Sequence, residues 1–373
     1  EELEEAIQLL GADINVTAED EKIVLSGSTL AKNYAKTIDL VQEILLEPRW
    51  DSTEFKLVKQ QALSRIQQQK ADPNSIANNE FRKLIYGENH ILGHNNLGTE
   101  SSVNNITLED LKDYYSANLS PKRSVFHVVG AIEKEDAVKG IRALSVAWPP
   151  KSVKMPEVAQ PELPQESQIY FYDVPGAKQS VLRFGAPALA ATDDDFYAAE
   201  VMNYRLGGGG FASQLTQELR ESKGYTYGIR SGFNAGKNKG PFLISSGVRS
   251  NITYDAVKLI KEIIENYPHN FDGEDMEVTR GFMIKSNARK FETLNSKLDM
   301  LSEISTFGRE YNYIKQRENM VNELTVLDIR ELAEKYINPE KMYFLIVGDA
   351  ETQMEKLEEL RLGKPVLLNE INE

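Results

Sequence analysis

TVLDIRELAEKYINPEKMYFLIVG, residues 325–348, repeats the pattern of TLEDLKDYYSANLSPKRSVFHVVG, residues 107–130. Each copy opens on a threonine and runs through a helical apolar pattern. It then meets a proline 14 residues on (Pro121, Pro339) and closes a strand pattern on a glycine 23 residues on (Gly130, Gly348). In the first copy Thr107 is placed as a helix N-cap, with Asp110 three residues later. Working outward, the offset of 218 residues persists with small slips: QEIL ending at Leu45 matches KEII ending at Ile264, Pro48 matches Pro268, and Trp50-Asp51 matches Phe271-Asp272. Anchors in nearly constant register mark two copies of one α+β unit.

Between the copies, Pro149, Pro150, Pro156, Pro161 and Pro164 favour an extended linker over packed structure. The reading is therefore a first repeat at 1–148, a linker at 149–165 and a second repeat at 166–373, each a mostly antiparallel sheet packed with helices. The patterns predict helices over 1–10, 30–46 and 54–70, strands over 12–19 and 22–28, and a strand over 124–130. In the second repeat they predict strands near 168–174 and 180–187, then a helix capped by Thr192 with Asp193, Asp194 and Asp195 in its first turn, where carboxylates oppose the helix dipole. At the repeat offset the first copy lacks counterparts for about the first fifty residues of the second, two strands and a helix among them. A sheet without them has open edges, to be filled by residues upstream or by another chain.

Composition narrows the function classes. With 43 basic against 57 acidic residues, a formal charge of -14, the chain is not suited to a phosphate backbone. No run approaches the ~18 apolar residues of a membrane span, and residues 1–13 lack a signal-like core. The expectation is a soluble protein, periplasmic or cytoplasmic if bacterial, without nucleic-acid or membrane partners. There is no cysteine, which removes thiolate metal sites. Of the four histidines only His90 and His94 stand four apart, in a Gly- and Asn-rich loop rather than on a helix, so a structural or surface role is expected.

The most unusual stretch is LGGGGFASQLTQELRESKGYTYGIRSGF, residues 206–233. Gly207, Gly208, Gly209 and Gly210 follow a helix rather than a strand and precede no Gly-Lys-Ser/Thr, which argues against a phosphate loop. A hinge, or a backbone surface lining a groove for an extended peptide, fits better. The following helix is expected to bury Phe211, Leu215 and Leu219, with Arg220 either capping its last carbonyls or free to bind. Period-two alternation puts Tyr225 and Tyr227 on one strand face. Arginine and tyrosine are donors suited to peptide carbonyls.

The glycine run, LRESKGYTYGI, the strand-final VVG and IVG and the duplication together resemble the pitrilysin/insulysin family of zinc metallopeptidases, including mitochondrial processing peptidases. The resemblance covers nearly the whole chain. It implies that Arg220 and Tyr227, seven residues apart, contact the main chain of a peptide substrate. The family's His-x-x-Glu-His zinc motif is absent, and Arg65 stands where the resemblance places a third, glutamate ligand. A guanidinium cannot ligate zinc. The resemblance thus implies a non-catalytic, substrate-binding half whose partner is a homologous zinc-binding half, with no cofactor of its own. Two alternatives stand beside it: a complete zinc metalloendopeptidase whose motif lies upstream of Glu1, and a non-proteolytic scaffold subunit.

Overall fold

The computed structural model describes residues 2–371. By contacts the chain forms two compact units, residues 1–66, 96–157 and 289–308 in one and residues 67–95, 158–288 and 309–373 in the other. The units interleave along the chain, a division by contact that stands beside the division by repeat.

In the first unit, strands β1 (Asp13–Ala18) and β2 (Ile23–Ser28) form an antiparallel hairpin. Helices Tyr34–Leu46 and Lys134–Ala147 pack together, with the Tyr34 hydroxyl donating to the Ala137 carbonyl at 2.9 Å. The helix pattern of 54–70 is found as Ser52–Ala71, but of its expected apolar stripe, Phe55, Val58, Ala62 and Ile66, Ile66 alone is buried and Val58 is exposed. Arg65 is exposed as well.

The second unit is built on six strands: β3 (Gln168–Asp173), β4 (Gln179–Leu189), β5 (Thr226–Phe233), β6 (Gly240–Arg249), β7 (Tyr343–Gly348) and β8 (Val366–Leu367), in the order β5-β6-β4-β7-β3-β8. The pairs β5/β6, β6/β4 and β4/β7 are antiparallel; β3 runs parallel to β7 and β8. The apolar run of β7 is buried almost throughout because both sheet faces are covered. On one face helices Thr253–Asn270 and Val326–Tyr336 set Val257, Ile260, Ile264, Ile329 and Leu332 against Phe184, Phe242 and Phe344. On the other, helix Pro73–Tyr86 sets Ile76, Ala77, Phe81 and Ile85 against Val181, Leu345 and Val347. Full burial of each of the larger of these side chains, Val, Leu, Ile or Phe, contributes about 1.5–3 kcal/mol.

The two stretches that share the sequence pattern also share local geometry. Thr107 and Thr325 each cap an eleven-residue helix, Leu108–Asn118 and Val326–Tyr336, in reciprocal boxes with Asp110 and Asp328. Each helix is followed by a 3-10 turn starting on the matched proline. There the copies part. The expected strand 124–130 does not form, and Val125 and Phe126 are exposed, whereas its counterpart β7 lies between β3 and β4. A strand is held by its ladder partners, and among the described residues segment 124–130 has none.

A second correction concerns Thr192. The helix Phe196–Asn203 starts after Asp195, so Asp193, Asp194 and Asp195 precede it rather than filling its first turn. Asp195 Oδ2 accepts from Lys335 Nζ and the Tyr336 hydroxyl, both at 2.7 Å, which holds its carboxyl below the ordinary range.

Two outcomes follow. Amide hydrogen exchange should be fast over residues 124–129 and slow over 343–348, despite the shared pattern. The Thr325 bonds lower the Asp328 pKa, so the stability they supply is complete above the ordinary carboxylate pKa and fades as pH falls through the lowered one. Thr325→Ala should therefore cost about 1 kcal/mol at pH 7, and urea midpoints should show the deficit shrinking in acid.

Candidate functional site

The glycine run continues the helix Phe196–Asn203 as a π-helical turn, Tyr204–Gly208, in which the Gly209 N–H reaches the Tyr204 carbonyl at 2.8 Å. Widened turns of this kind concentrate at functional sites, and here each glycine has a steric reason. A Cβ on Gly207 would collide with the Ser231 hydroxyl and lie 2.7 Å from the Ser231 amide nitrogen; on Gly208 it would lie 2.8 Å from Asn203 Nδ2, and on Gly209 2.6 Å from the Tyr204 carbonyl. Gly210 has φ +56, the left-handed region.

That close approach ties the turn to β5, the edge strand. Asn203 Nδ2 donates to the Ser231 carbonyl at 2.9 Å, and the Ser231 hydroxyl donates back to Asn203 Oδ1. Two residues earlier, and so on the same side of the strand, the Ile229 carbonyl accepts from the Thr216 hydroxyl at 3.3 Å. The free edge of β5 is thus occupied at Ile229 and Ser231. Gly207 is buried; Gly208 and Gly210 are exposed.

Leu215 and Leu219 are fully buried as expected, but Phe211 is 61% exposed. The chain makes a 3-10 turn at Gly210–Ala212 and starts a new helical run only at Gln214, which passes into a second π-helical stretch, Gln217–Ser222. Residue 211 therefore falls outside the helical phase. Its exposed ring serves as a platform for Arg220, whose guanidinium carbon lies 4.6 Å from the centroid, with Glu221 at 3.4 Å. A solvated pair of that kind holds Arg220 by under about 1 kcal/mol, leaving it free to meet a ligand.

Tyr225 and Tyr227 do not share a face. Tyr225 packs on the apolar core ahead of the strand, while Tyr227 is 95% exposed and makes no side-chain hydrogen bond. The cause is a β-bulge: Thr226 pairs with Val248 and Ile229 with Ser246, so Tyr227 and Gly228 together oppose Gly247. Hydroxyls lock it. Thr226 Oγ1 lies 2.9 Å from the Gly228 carbonyl and 2.7 Å from that of Gly247, and accepts the Gly228 N–H at 3.0 Å. The Ser246 hydroxyl donates to the Gly228 carbonyl and to Thr226 Oγ1, both at 3.0 Å. Thr226 and Ser246 escaped the sequence reading, although a glycine inside a strand pattern, Gly228, is a bulge signal. No hydrogen bond or ring contact joins Arg220 to Tyr227.

His90 is buried, accepts the Leu92 N–H on Nδ1 at 3.0 Å and stacks on Tyr86, while His94 is exposed. Among the described residues no group of three His, Cys, Asp or Glu side chains is placed to hold a metal ion, and no helix is long and apolar enough to cross a membrane. An open cleft of about 460 Å³ lined by Arg205, Gln217, Glu218 and Glu262 includes neither Arg220 nor Tyr227.

Residues 105–280, spanning the glycine turn, Arg220 and the bulge, match the family described as "Peptidase M16 inactive domain". Over those residues the chain is similar to a peptidase M16 inactive domain. This bears out the pitrilysin-type resemblance and the α+β reading. A crystal structure of a peptidase M16 inactive domain from Pseudomonas fluorescens superposes with TM-score 0.86 at 26% identity, over 94% of this chain and 84% of that one. A protease from Helicobacter pylori shares the fold at TM-score 0.84 and 16% identity, over 93% and 84% of the two chains. Among curated relatives, an uncharacterised zinc protease of Streptomyces coelicolor is 25% identical over 71% of this chain, which spans 58% of that protein. The non-peptidase homolog YmxG of Helicobacter pylori is 22% identical over 90% of this chain and 77% of its own length.

If the glycines of this turn are steric, substitutions should separate by site. Gly207→Ala should cost about 1–3 kcal/mol as overpacking against β5, and Gly210→Ala about 1–2 kcal/mol from backbone handedness alone. Denaturant midpoints measure both.

Proposed function

We propose that this chain is the substrate-holding, non-catalytic half of a zinc peptidase that acts on unfolded peptides, and that a homologous zinc-bearing half supplies the metal, its activated water and the general base. The observation that carries the reading is Tyr227: a tyrosine 95% exposed, with no partner of its own, on a bulge that four hydroxyl contacts make rigid. A fixed, unsatisfied phenol is ready to bond a peptide carbonyl, and Arg220, stacked on Phe211 beside the exposed Gly210, is a second such donor. Gly208 and Gly210 leave room for a main chain, and Gly207 and Gly209 shape the turn beneath. The occupied carbonyls of Ile229 and Ser231 argue against strand addition at that part of β5. The family match, the lack of a three-donor metal cluster among the described residues and the exposed Arg65 in place of a carboxylate fit this division of labour.

In the complex with a zinc-bearing half, Arg220→Ala combined with Tyr227→Phe should lower kcat/KM for an unstructured peptide by about tenfold or more, the loss of two hydrogen bonds of about 1 kcal/mol each. Cleavage kinetics indistinguishable from wild type would sink the reading.

A further inference from the structure

A row of side chains crosses the second unit's sheet close to Tyr227. In the antiparallel registers Arg183 of β4 lies opposite Ser245 of β6, and Ser245 lies opposite Arg230 of β5. The three therefore share one sheet face. It is the face of Val181 and Leu345, on which helix Pro73–Tyr86 packs.

Arg183 reaches beneath that helix and is only 9% exposed. Its Nε donates to Asn78 Oδ1 at 3.0 Å, Nη2 to Asn74 Oδ1 at 3.4 Å and Nη1 to the Leu182 carbonyl at 2.9 Å. Every acceptor is neutral. A guanidinium keeps its charge, and a buried charge is ordinarily paired with its opposite. The charged group that bears on Arg183 is instead a second cation: burial, and then Arg230, push its pKa below the usual arginine value. Arg230 is exposed and makes no ion pair, and the Ser245 hydroxyl between them makes no bond to the protein. Helix Pro73–Tyr86 brings Glu80, but that carboxylate is paired with Lys83 at 2.7 Å. In a chain with 57 acidic residues against 43 basic ones, two arginines flanking one strand without a carboxylate call for a cause.

Tyr227 stands one step along the same face. The bulge sets Tyr227 and Gly228 opposite Gly247, which is two residues from Ser245 and exposed. One such step is about 7 Å, a span of two residues of extended peptide.

We propose that Arg183, Ser245 and Arg230 form a carboxylate subsite for the bound peptide, which accepts an acidic side chain or the C-terminal carboxylate about two residues from the group that meets Tyr227. Arg230 and the Ser245 hydroxyl meet the anion at the open side, and Arg183 supplies fixed charge from the floor. The subsite rests on the peptide-holding reading above and adds a preference to it.

The test is fluorescence anisotropy on the full chain with matched unstructured peptides: one internal Glu against Gln, and a free C-terminus against its amide. Wild type should prefer the carboxylate member of one pair by about tenfold, as for a charge-assisted hydrogen bond, and added salt should erode the preference. Which pair responds tells side chain from terminus. Arg230→Gln, at an exposed position, should abolish the preference while the neutral peptide binds as before, and Arg230→Lys should restore part of it. Arg183→Lys, with an unchanged denaturation midpoint, should weaken it. A preference that survives Arg230→Gln, or its absence in wild type while Tyr227→Ala still weakens both peptides, overturns the subsite and leaves the peptide-holding reading standing. Failure of any peptide to bind wild type overturns both.

Discussion

The demand of a β-strand for backbone partners on both sides governs the second unit. β7 forms because β3 and β4 flank it, and its apolar residues are buried as a result. β5 has a ladder partner on one side only, and the chain meets the other side with Asn203 and Thr216, brought within reach by a helix that widens and sheds side chains at its glycines. Where that edge is left open, next to Tyr227, a bulge interrupts the ladder and Thr226 with Ser246 takes up the carbonyls. The glycines and the tyrosine thus answer one problem at two ends of one strand.

Much of this was legible in the sequence. The repeat gave matched helices because capping boxes and proline turns are local: Thr107 and Thr325 need only their own next three residues. The family resemblance followed from motifs that survive in one chain. What failed was non-local. VFHVVG reads as a strand whether or not neighbours exist to hold it, and Val58 reads as buried whether or not anything covers it. Phe211 and Tyr225 were misplaced for a second reason. Periodic patterns assume an unbroken phase, while the chain resets at a 3-10 turn before Gln214 and again at the bulge after Thr226. Arg183 left no trace in pattern at all, since a lone arginine in an apolar strand becomes unusual only when its surroundings are known.

The candidate site is a rigid surface rather than a pocket. Tyr227, Arg230, Ser245 and Gly247 lie on strands whose positions are set by a buried core, and Arg220 lies on a helix held by Leu215 and Leu219. Side chains on such elements have little freedom left to lose, so for the proposed peptide ligand the ordering cost would fall mainly on the peptide. On the proposed reading, such a surface would recognise main chain and charge more than shape.

The sealed edge of β5 also bears on solubility. An open edge templates the next strand, and repeated over many molecules that leads to fibrous growth. With the Ile229 and Ser231 carbonyls already engaged and the ladder broken at Gly228, a second molecule finds no continuous row to extend. The sheet can therefore present a bare aromatic at Tyr227 without offering its edge as a template for aggregation.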